Sequence, residues 1–294
     1  MSGCWISAQD GTRLFYRDWG TGTPVVFLAG WALSSEMWNY QITPLSELGM
    51  RCIAYDRRGH GRSDHAATGF DYDTLADDLA SILETLDVRR AMLVSHSMAA
   101  GEVIRYLNRH GAGRISRIVL IAPAGVPYSV KTSDNPDGID PSVFEGFRKN
   151  FLLKDYPKWV ADNERPFVVE ETSNEMLGWI KRLMLQTSMK ALVEFNLSGT
   201  STDFRKELPK ISVPTLVIHG DKDVSAPIDR TGIPTARMIP GAKVTIYHGA
   251  PHGLFVTHMD RLNRELIDFA VAHLGEPMEH GAATSDASIA QSIG

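Results

Sequence analysis

The sequence has only two cysteines and no Cys/His cluster at the spacing of a zinc site. Nothing favours a disulfide between Cys4 and Cys52. Cys52 lies in a predicted core strand, where we expect it to act as a small buried hydrophobic residue. The scarcity of cysteine therefore argues against a disulfide-rich secreted domain and against a structural zinc site.

The sequence also lacks long apolar runs and blocks of like charge. No apolar stretch is long enough to span a bilayer, and residues 1–10 lack the basic and apolar regions of a secretory signal. The net charge of −5 comes from interspersed residues, which argues against a nucleic-acid surface or a membrane-binding patch. We therefore expect a cytoplasmic protein; the oligomeric state stays open, a homo-oligomer included.

What is present is an ordinary globular composition, with 43% hydrophobic and 22% charged residues in 294. This length fits one large α/β domain or two small ones. Two runs, 5–8 and 14–19, predict an antiparallel hairpin. Short apolar runs then alternate with amphipathic stretches, which predicts a doubly wound, mostly parallel sheet. The predicted strands are 25–28, 51–55, 91–94, 117–122, 214–218 and 243–247, and the predicted helices are 35–48 (kinked or broken at Pro44), 72–86, 98–107 and 262–274.

The alternation stops between residues 125 and 208, where helical patterns rich in aromatic residues and methionine replace the strands. We interpret this segment as a helical lid inserted after the sixth strand, because the strands resume afterwards; the alternative is a separate helical domain. The predicted organisation is a core of 1–124 and 209–274, a lid of 125–208, and a disordered tail of 275–294, which is small, polar and aperiodic.

Ser97 lies where the strand at 91–94 gives way to a helix. A serine on such a sharp turn points its hydroxyl out of the sheet, and the helix behind it offers free N–H groups to an anion. The usual pattern is Gly-x-Ser-x-Gly, whereas here the flanking residues are Ser95 and Ala99, which are also small. From these residues alone, Ser97 is either a nucleophile or a serine in an ordinary loop.

Polar residues also follow two later strands, at the sheet edge where ligand sites form in this fold class. Asp221 and Asp223 follow the strand at 214–218, and His248 and His252 follow the strand at 243–247. With Ser97 they give the chain order Ser, Asp, His. The chemistry needs all three, because the histidine accepts the serine proton and the carboxylate orients the histidine.

Four motifs in this order resemble the α/β-hydrolase superfamily over roughly residues 3–274, and more narrowly its cofactor-free haloperoxidase and arylesterase branch. They are DRRGHGRS at 56–63, GEVIRY at 101–106, HGDKD at 219–223 and GAPHGL at 249–254. The resemblance implies that Ser97 is the nucleophile, Asp223 the acid and His252 the base, with no cofactor and no metal. Of the rival residues, we expect Asp221 to bond the backbone of its own turn and His248 to be structural.

By the same resemblance, the backbone N–H groups of Met98 and Trp31 hold the oxyanion. The family usually has His-Gly before the second donor, whereas this chain has Ala29-Gly30. Perhydrolase-like members often place proline after the tryptophan, and here the residue is Ala32, which favours hydrolysis over peracid formation.

The sequence thus predicts a serine hydrolase of the carboxylesterase or lactonase type, acting through an acyl-enzyme on a hydrophobic or aromatic small molecule. The expected substrate-binding residues are Trp31, Trp159, Trp179 and Met184. Amidase, lactamase, acyl-transfer and perhydrolase activity on the same triad remain alternatives, as does a non-catalytic ligand-binding protein. Dehalogenase and epoxide-hydrolase chemistry are disfavoured, since those relatives need an aspartate at position 97.

Overall fold

A computed structural model describes residues 4–271 and contains one eight-stranded sheet. The strand order is β1-β2-β4-β3-β5-β6-β7-β8; β2 runs antiparallel to both of its neighbours, and the pairs from β4 to β8 are parallel. The strands are β1 Trp5–Ser7, β2 Arg13–Trp19, β3 Thr23–Leu28, β4 Met50–Tyr55, β5 Ala91–His96, β6 Ile115–Ile121, β7 Thr215–Gly220 and β8 Lys243–Tyr247.

Helices cover both faces of this sheet. The α-helices are α1 Asn39–Glu47, α2 Tyr72–Thr85, α3 Ala99–His110, α4 Pro141–Phe147, α5 Leu153–Phe167, α6 Asn174–Met184, α7 Met189–Ser201, α8 Gly232–Met238, α9 Leu254–Thr257 and α10 Met259–Val271. Short 3₁₀-helices span Ser35–Trp38 and Leu208–Lys210, and a π-helical segment, Arg148–Leu152, joins α4 to α5.

The central strands carry buried apolar residues on both faces because each face of the sheet meets its own core. Along β3, Val26 and Leu28 pack on one side with α2, α3 and α8, while Val25 and Phe27 pack on the other with α1 and α10. Cys52 is buried in β4, as predicted.

Helices α4 to α7 and the π-helical segment lie between β6 and β7, and we call them the cap. The predicted α/β fold with a helical insertion after the sixth strand is thus confirmed. The predicted tail, 275–294, and the end of the last predicted helix, 272–274, lie outside the described residues.

Two local predictions need correction. A helix runs from Asn39 to Glu47 straight through Pro44, where a break was one expectation. The missing N–H of the proline removes one hydrogen bond, but Ile42 and Leu45 on either side are fully buried, and their packing holds the helix. Helix α8 was not predicted from the sequence, since its seven residues are too few for a clear periodic pattern.

Candidate active site

Ser97 occupies the turn between β5 and α3 in a strained conformation, with a φ of +58° that residues other than glycine rarely adopt. Its backbone N–H donates to the Ile121 carbonyl at 2.9 Å, which fixes the turn against β6. The neighbours Ser95 and Ala99 are fully buried, and their small side chains fit the tight turn. The strain is the feature expected of a serine presented at the end of a strand.

The structure brings Ser97, Asp223 and His252 together, although they follow three different strands. His252 Nε2 lies 2.9 Å from Ser97 Oγ, and His252 Nδ1 lies 2.6 Å from Asp223 Oδ2. All three residues are buried. The histidine can therefore accept the serine proton at one ring nitrogen while its other nitrogen donates to the carboxylate.

Asp223 accepts hydrogen bonds from four groups. Oδ1 accepts the backbone N–H of Ser225 at 2.9 Å and of Ala226 at 2.8 Å, and Oδ2 is shared by His252 and His219. Burial disfavours the carboxylate, but the charge of His252 and these hydrogen bonds outweigh it and hold the pKa of Asp223 well below its usual range. The acid is therefore ionised at neutral pH.

Sequence reasoning missed His219. Its Nε2 lies 3.1 Å from Asp223 Oδ2 and 2.8 Å from the Ala226 carbonyl. A carbonyl can only accept, so Nε2 carries the proton and donates to both oxygens. The only signal was its place at the start of the HGDKD motif. Asp221 also differs from expectation, because it accepts from Gly249 N–H at 2.7 Å in the next loop rather than in its own turn.

His96 packs beneath the histidine of this group. Its Nε2 donates to the His252 carbonyl at 3.1 Å, and the two ring centroids are 4.7 Å apart. Burial, together with the charge of His252, lowers the pKa of His96 to about 3, so it stays neutral. It supports the loop that carries His252.

The two predicted oxyanion donors, Trp31 and Met98, lie beside Ser97 in the wall of one cavity. Within residues 4–271, neither backbone N–H donates to another protein group. The loop that carries Trp31 packs closely against His96 and Ser97. This packing requires a glycine at position 30, because a Cβ atom there would lie 2.5 Å from His96 Nδ1. Both N–H groups are therefore free to bind a substrate oxygen.

A buried ion pair holds the loop that precedes Trp31. Arg57 Nη2 donates to the Ala29 carbonyl at 2.6 Å, and Arg57 Nε donates to Glu102 on α3 at 2.8 Å. The guanidinium also lies 4.3 Å from the centre of the Phe195 ring on α7. The DRRGHGRS motif thus ties the loop after β3 to the helix behind Ser97 and to the cap.

The cavity above Ser97 has a volume of about 410 Å³ and lies between the sheet edge and the cap. Its wall is mostly apolar, with a few polar groups that include the ion pair of Lys181 and Glu164 at 2.7 Å. Of the expected substrate-binding residues, Trp31, Trp159 and Met184 line it.

The expectation for Trp179 is wrong in this structure. Its ring packs against Tyr40 at 5.7 Å, in a shallow surface groove with Asn39, Thr43 and Pro44, and it does not line the cavity. On α6, Leu177 and Ile180 face the cavity instead. They are three residues apart and share a face of the helix, whereas Trp179 lies on a different face.

Comparison with known proteins identifies the family of this chain. A family model described as the α/β hydrolase fold matches residues 23–166. A non-heme chloroperoxidase of Kitasatospora aureofaciens is 39% identical over 269 residues, which cover 90% of this chain and 98% of that protein. The chain belongs to the α/β-hydrolase family.

Within this family the hydrolase falls in the non-heme haloperoxidase-like branch. A bifunctional esterase/perhydrolase of Acinetobacter calcoaceticus is 35% identical, with coverage of 90% of this chain and 98% of the relative. The solved structure of an esterase from Exiguobacterium antarcticum superimposes with a TM-score of 0.87 at 29% identity and covers 91% of this chain and 99% of that one.

Between residues 4 and 271, no three histidine, cysteine or acidic side chains cluster as a metal site would require. Over the same range, every helix is too short or too polar to cross a membrane.

Proposed function

We propose that this α/β hydrolase cleaves a carboxylic ester or lactone of a hydrophobic or aromatic small molecule through an acyl-enzyme. The hydrogen-bonded series Ser97, His252 and Asp223, which opens into an apolar cavity, carries the proposal. This constellation is recognised by its geometry and by the role that each group can fill.

In the acylation step, Ser97 Oγ attacks the ester carbonyl while His252 Nε2 takes its proton. The Trp31 and Met98 N–H groups bind the oxygen that becomes negative, and Asp223 stabilises the imidazolium through Nδ1. His252 then gives the proton to the leaving alcohol. The tetrahedral intermediate collapses to an ester between the acyl group and Ser97.

Deacylation repeats these steps with water in place of the serine hydroxyl. His252 takes a proton from the water, the hydroxide adds to the acyl carbonyl, and Ser97 leaves with the proton. The apolar wall formed by Trp31, Trp159 and Met184 favours a substrate with hydrophobic or aromatic groups. Amide or lactam cleavage would follow the same route with a nitrogen leaving group.

Perhydrolysis is the second candidate, because one similar protein is named an esterase/perhydrolase. In that reaction hydrogen peroxide replaces water in the deacylation step and a peracid is released. The loop after Trp31 favours hydrolysis. Ala32 has a φ of +64°, which a proline ring cannot adopt, so this loop differs from one that carries proline at that position.

Phenyl acetate hydrolysis by wild type and Ser97→Ala, with and without hydrogen peroxide, tests both candidates. We expect wild type to release phenol and Ser97→Ala to lose nearly all turnover. Phenol release that persists in Ser97→Ala would contradict the serine mechanism. Peracid formed faster than acetate in the presence of peroxide would favour perhydrolysis over hydrolysis.

A further inference from the structure

Helix α7 of the cap carries a buried side chain whose hydrogen bonding is incomplete. Asn196 is only 5% exposed and lines the cavity above Ser97. Its Oδ1 accepts a hydrogen bond from Arg148 Nη1 at 3.1 Å. Its Nδ2 donates a hydrogen bond to no protein group between residues 4 and 271. This nitrogen is not fully enclosed by the protein, so a ligand in the cavity can reach it. Buried amides rarely leave a donor unused.

Arg148 fixes the orientation of this amide. A guanidinium group can only donate, so the Asn196 atom that faces it must be the oxygen. Arg148 also donates to Thr200 Oγ1 at 3.3 Å, and the Thr200 hydroxyl donates to the Asn196 backbone carbonyl at 2.8 Å. Because Arg148 lies in the π-helical segment packed against α7, the amide cannot flip without placing two donors face to face.

The position of Asn196 on α7 places it between contacts that this helix makes with the side chains of Trp31 and Met98. One turn before it, the Leu192 carbonyl accepts a hydrogen bond from Trp31 Nε1 at 2.9 Å. One turn after it, Gly199 lies so close to Met98 that a Cβ atom would be 2.6 Å from the Met98 sulfur. Residues three and four apart share a helix face, so Asn196 lies on the face between these two contacts.

We propose that Asn196 Nδ2 binds an oxygen acceptor on the acyl group of the substrate, such as a ketone carbonyl several bonds from the ester. The inference rests on the proposed function and names the substrate class for that site. An acyl group attached to Ser97 would lie in the cavity that Trp31, Met98 and Asn196 all line. If it carries no acceptor, it leaves a buried donor unpaired, which favours the keto ester about tenfold.

The test compares esters in which a carbonyl is exchanged for a methyl-bearing carbon. The probes are phenyl 4-oxopentanoate and 5-oxohexanoate, each matched with its methyl analogue, phenyl 4-methylpentanoate or 5-methylhexanoate. Dissociation constants are measured in Ser97→Ala by the change in intrinsic tryptophan fluorescence, to which Trp31 and Trp159 contribute from the cavity wall, so the readout needs no turnover. The key variant is Asn196→Asp, which keeps an acceptor for Arg148 and replaces the donor by an oxygen.

Asn163→Asp is the matched control. Asn163 also lines the cavity, but its Nδ2 already donates to the Trp159 carbonyl at 2.8 Å. For at least one of the two matched pairs, we expect Ser97→Ala to bind the keto ester about tenfold more tightly than its methyl analogue. Asn196→Asp should bring this ratio to about one, and Asn163→Asp should retain it.

A ratio near one in Ser97→Ala itself, or a ratio that Asn196→Asp leaves intact, would overturn the assignment. The first of these outcomes applies even if Asn196→Asp fails to fold. Wild-type kcat/KM on the same esters is measured in parallel. If wild type hydrolyses none of them while the binding ratio holds, the proposed hydrolysis fails and the acyl subsite stands.

Discussion

Asp223 accepts more hydrogen bonds than the carboxylate of an ordinary turn requires. Two backbone N–H groups hold one oxygen, and His219 and His252 share the other. This arrangement keeps the group ionised and fixes the direction from which His252 is held. The carboxylate both orients His252 and supplies negative charge. A variant with an amide at this position should therefore fold but lose catalytic activity.

We therefore expect Asp223→Asn to lower kcat for phenyl acetate by about 10⁴-fold, the size of the effect known for a comparable substitution in a serine protease. Asp221→Asn is the matched control, because Asp221 bonds to Gly249 and to the exposed His248 away from the serine. It should retain kcat within about threefold. Equal losses in the two variants would show that the loop fold, and not the charge at Asp223, governs turnover.

A second residue-scale prediction concerns His60, which is fully buried beside Phe195. Burial, reinforced by the charge of Arg57, lowers the pKa of His60 to about 3. Between pH 6.5 and 3, His60 is protonated in the unfolded chain and neutral in the folded protein. The contribution of His60 to stability is therefore complete above pH 6.5 and falls by about 1.4 kcal/mol per pH unit below it.

Urea unfolding of wild type and His60→Gln between pH 7.5 and 4.5 measures this effect. Because glutamine does not titrate, the free energy of unfolding of wild type relative to the variant should decrease as the pH falls below 6.5. A difference that stays constant over the whole range would contradict a neutral, buried His60.

At the scale of elements, the loop after β3 is held from below by Arg57. Its hydrogen bond to the Ala29 carbonyl and its ion pair with Glu102 connect three segments of the chain. Lysine keeps the charge but not the planar fork, so Arg57→Lys should let the Trp31 N–H drift from the oxyanion position. We expect kcat to fall by about 10- to 100-fold with a smaller change in KM.

Arg58→Lys is the control for that variant. Arg58 is as deeply buried and makes a similar fork to Asp78, with both distances 2.7 Å. Its other hydrogen bonds go to Asp10 and the Thr68 carbonyl, away from the loop after β3. Both variants should lower Tm, and only Arg57→Lys should lower kcat strongly. A parallel loss of kcat in Arg58→Lys would assign the effect to general destabilisation.

The cap makes its own contribution to the site. Phe167, at the end of α5, accepts a hydrogen bond from Gly253 N–H at 2.8 Å, and its ring lies 5.7 Å from that of His252. Trp159 of the same helix packs at 5.7 Å on Trp31 and lines the cavity. The cap therefore sets both the shape of the cavity and the position of His252.

Trp159→Ala should change which substrates fit. We expect the ratio of kcat/KM for phenyl octanoate to that for phenyl acetate to rise by about tenfold, because the larger cavity accommodates a longer acyl group. Trp179→Ala removes the same side chain from the outer groove and should shift that ratio by less than about twofold. Equal shifts in both variants would mean that the cavity seen here is not the binding site.

At the scale of the whole molecule, the sequence predicted the features that repeat or follow a fixed chemical order. Apolar runs alternating with amphipathic stretches gave the doubly wound sheet, and strand-end residues gave the positions of Ser97, Asp223 and His252. Residues placed by contacts between distant segments were not predictable in this way. The contact of His219 with Asp223 was missed because the two residues meet only in the folded chain. Trp179 was misplaced because a helical pattern does not say which face meets the cavity.

The central claim is that Ser97 is an activated nucleophile, and covalent labelling tests it most directly. Intact mass is measured for wild type and Ser97→Ala after treatment with a fluorophosphonate, which phosphonylates activated serines. We predict one adduct on wild type and none on Ser97→Ala. A folded wild-type protein that gains no adduct, or a Ser97→Ala variant that still gains one, would contradict the account.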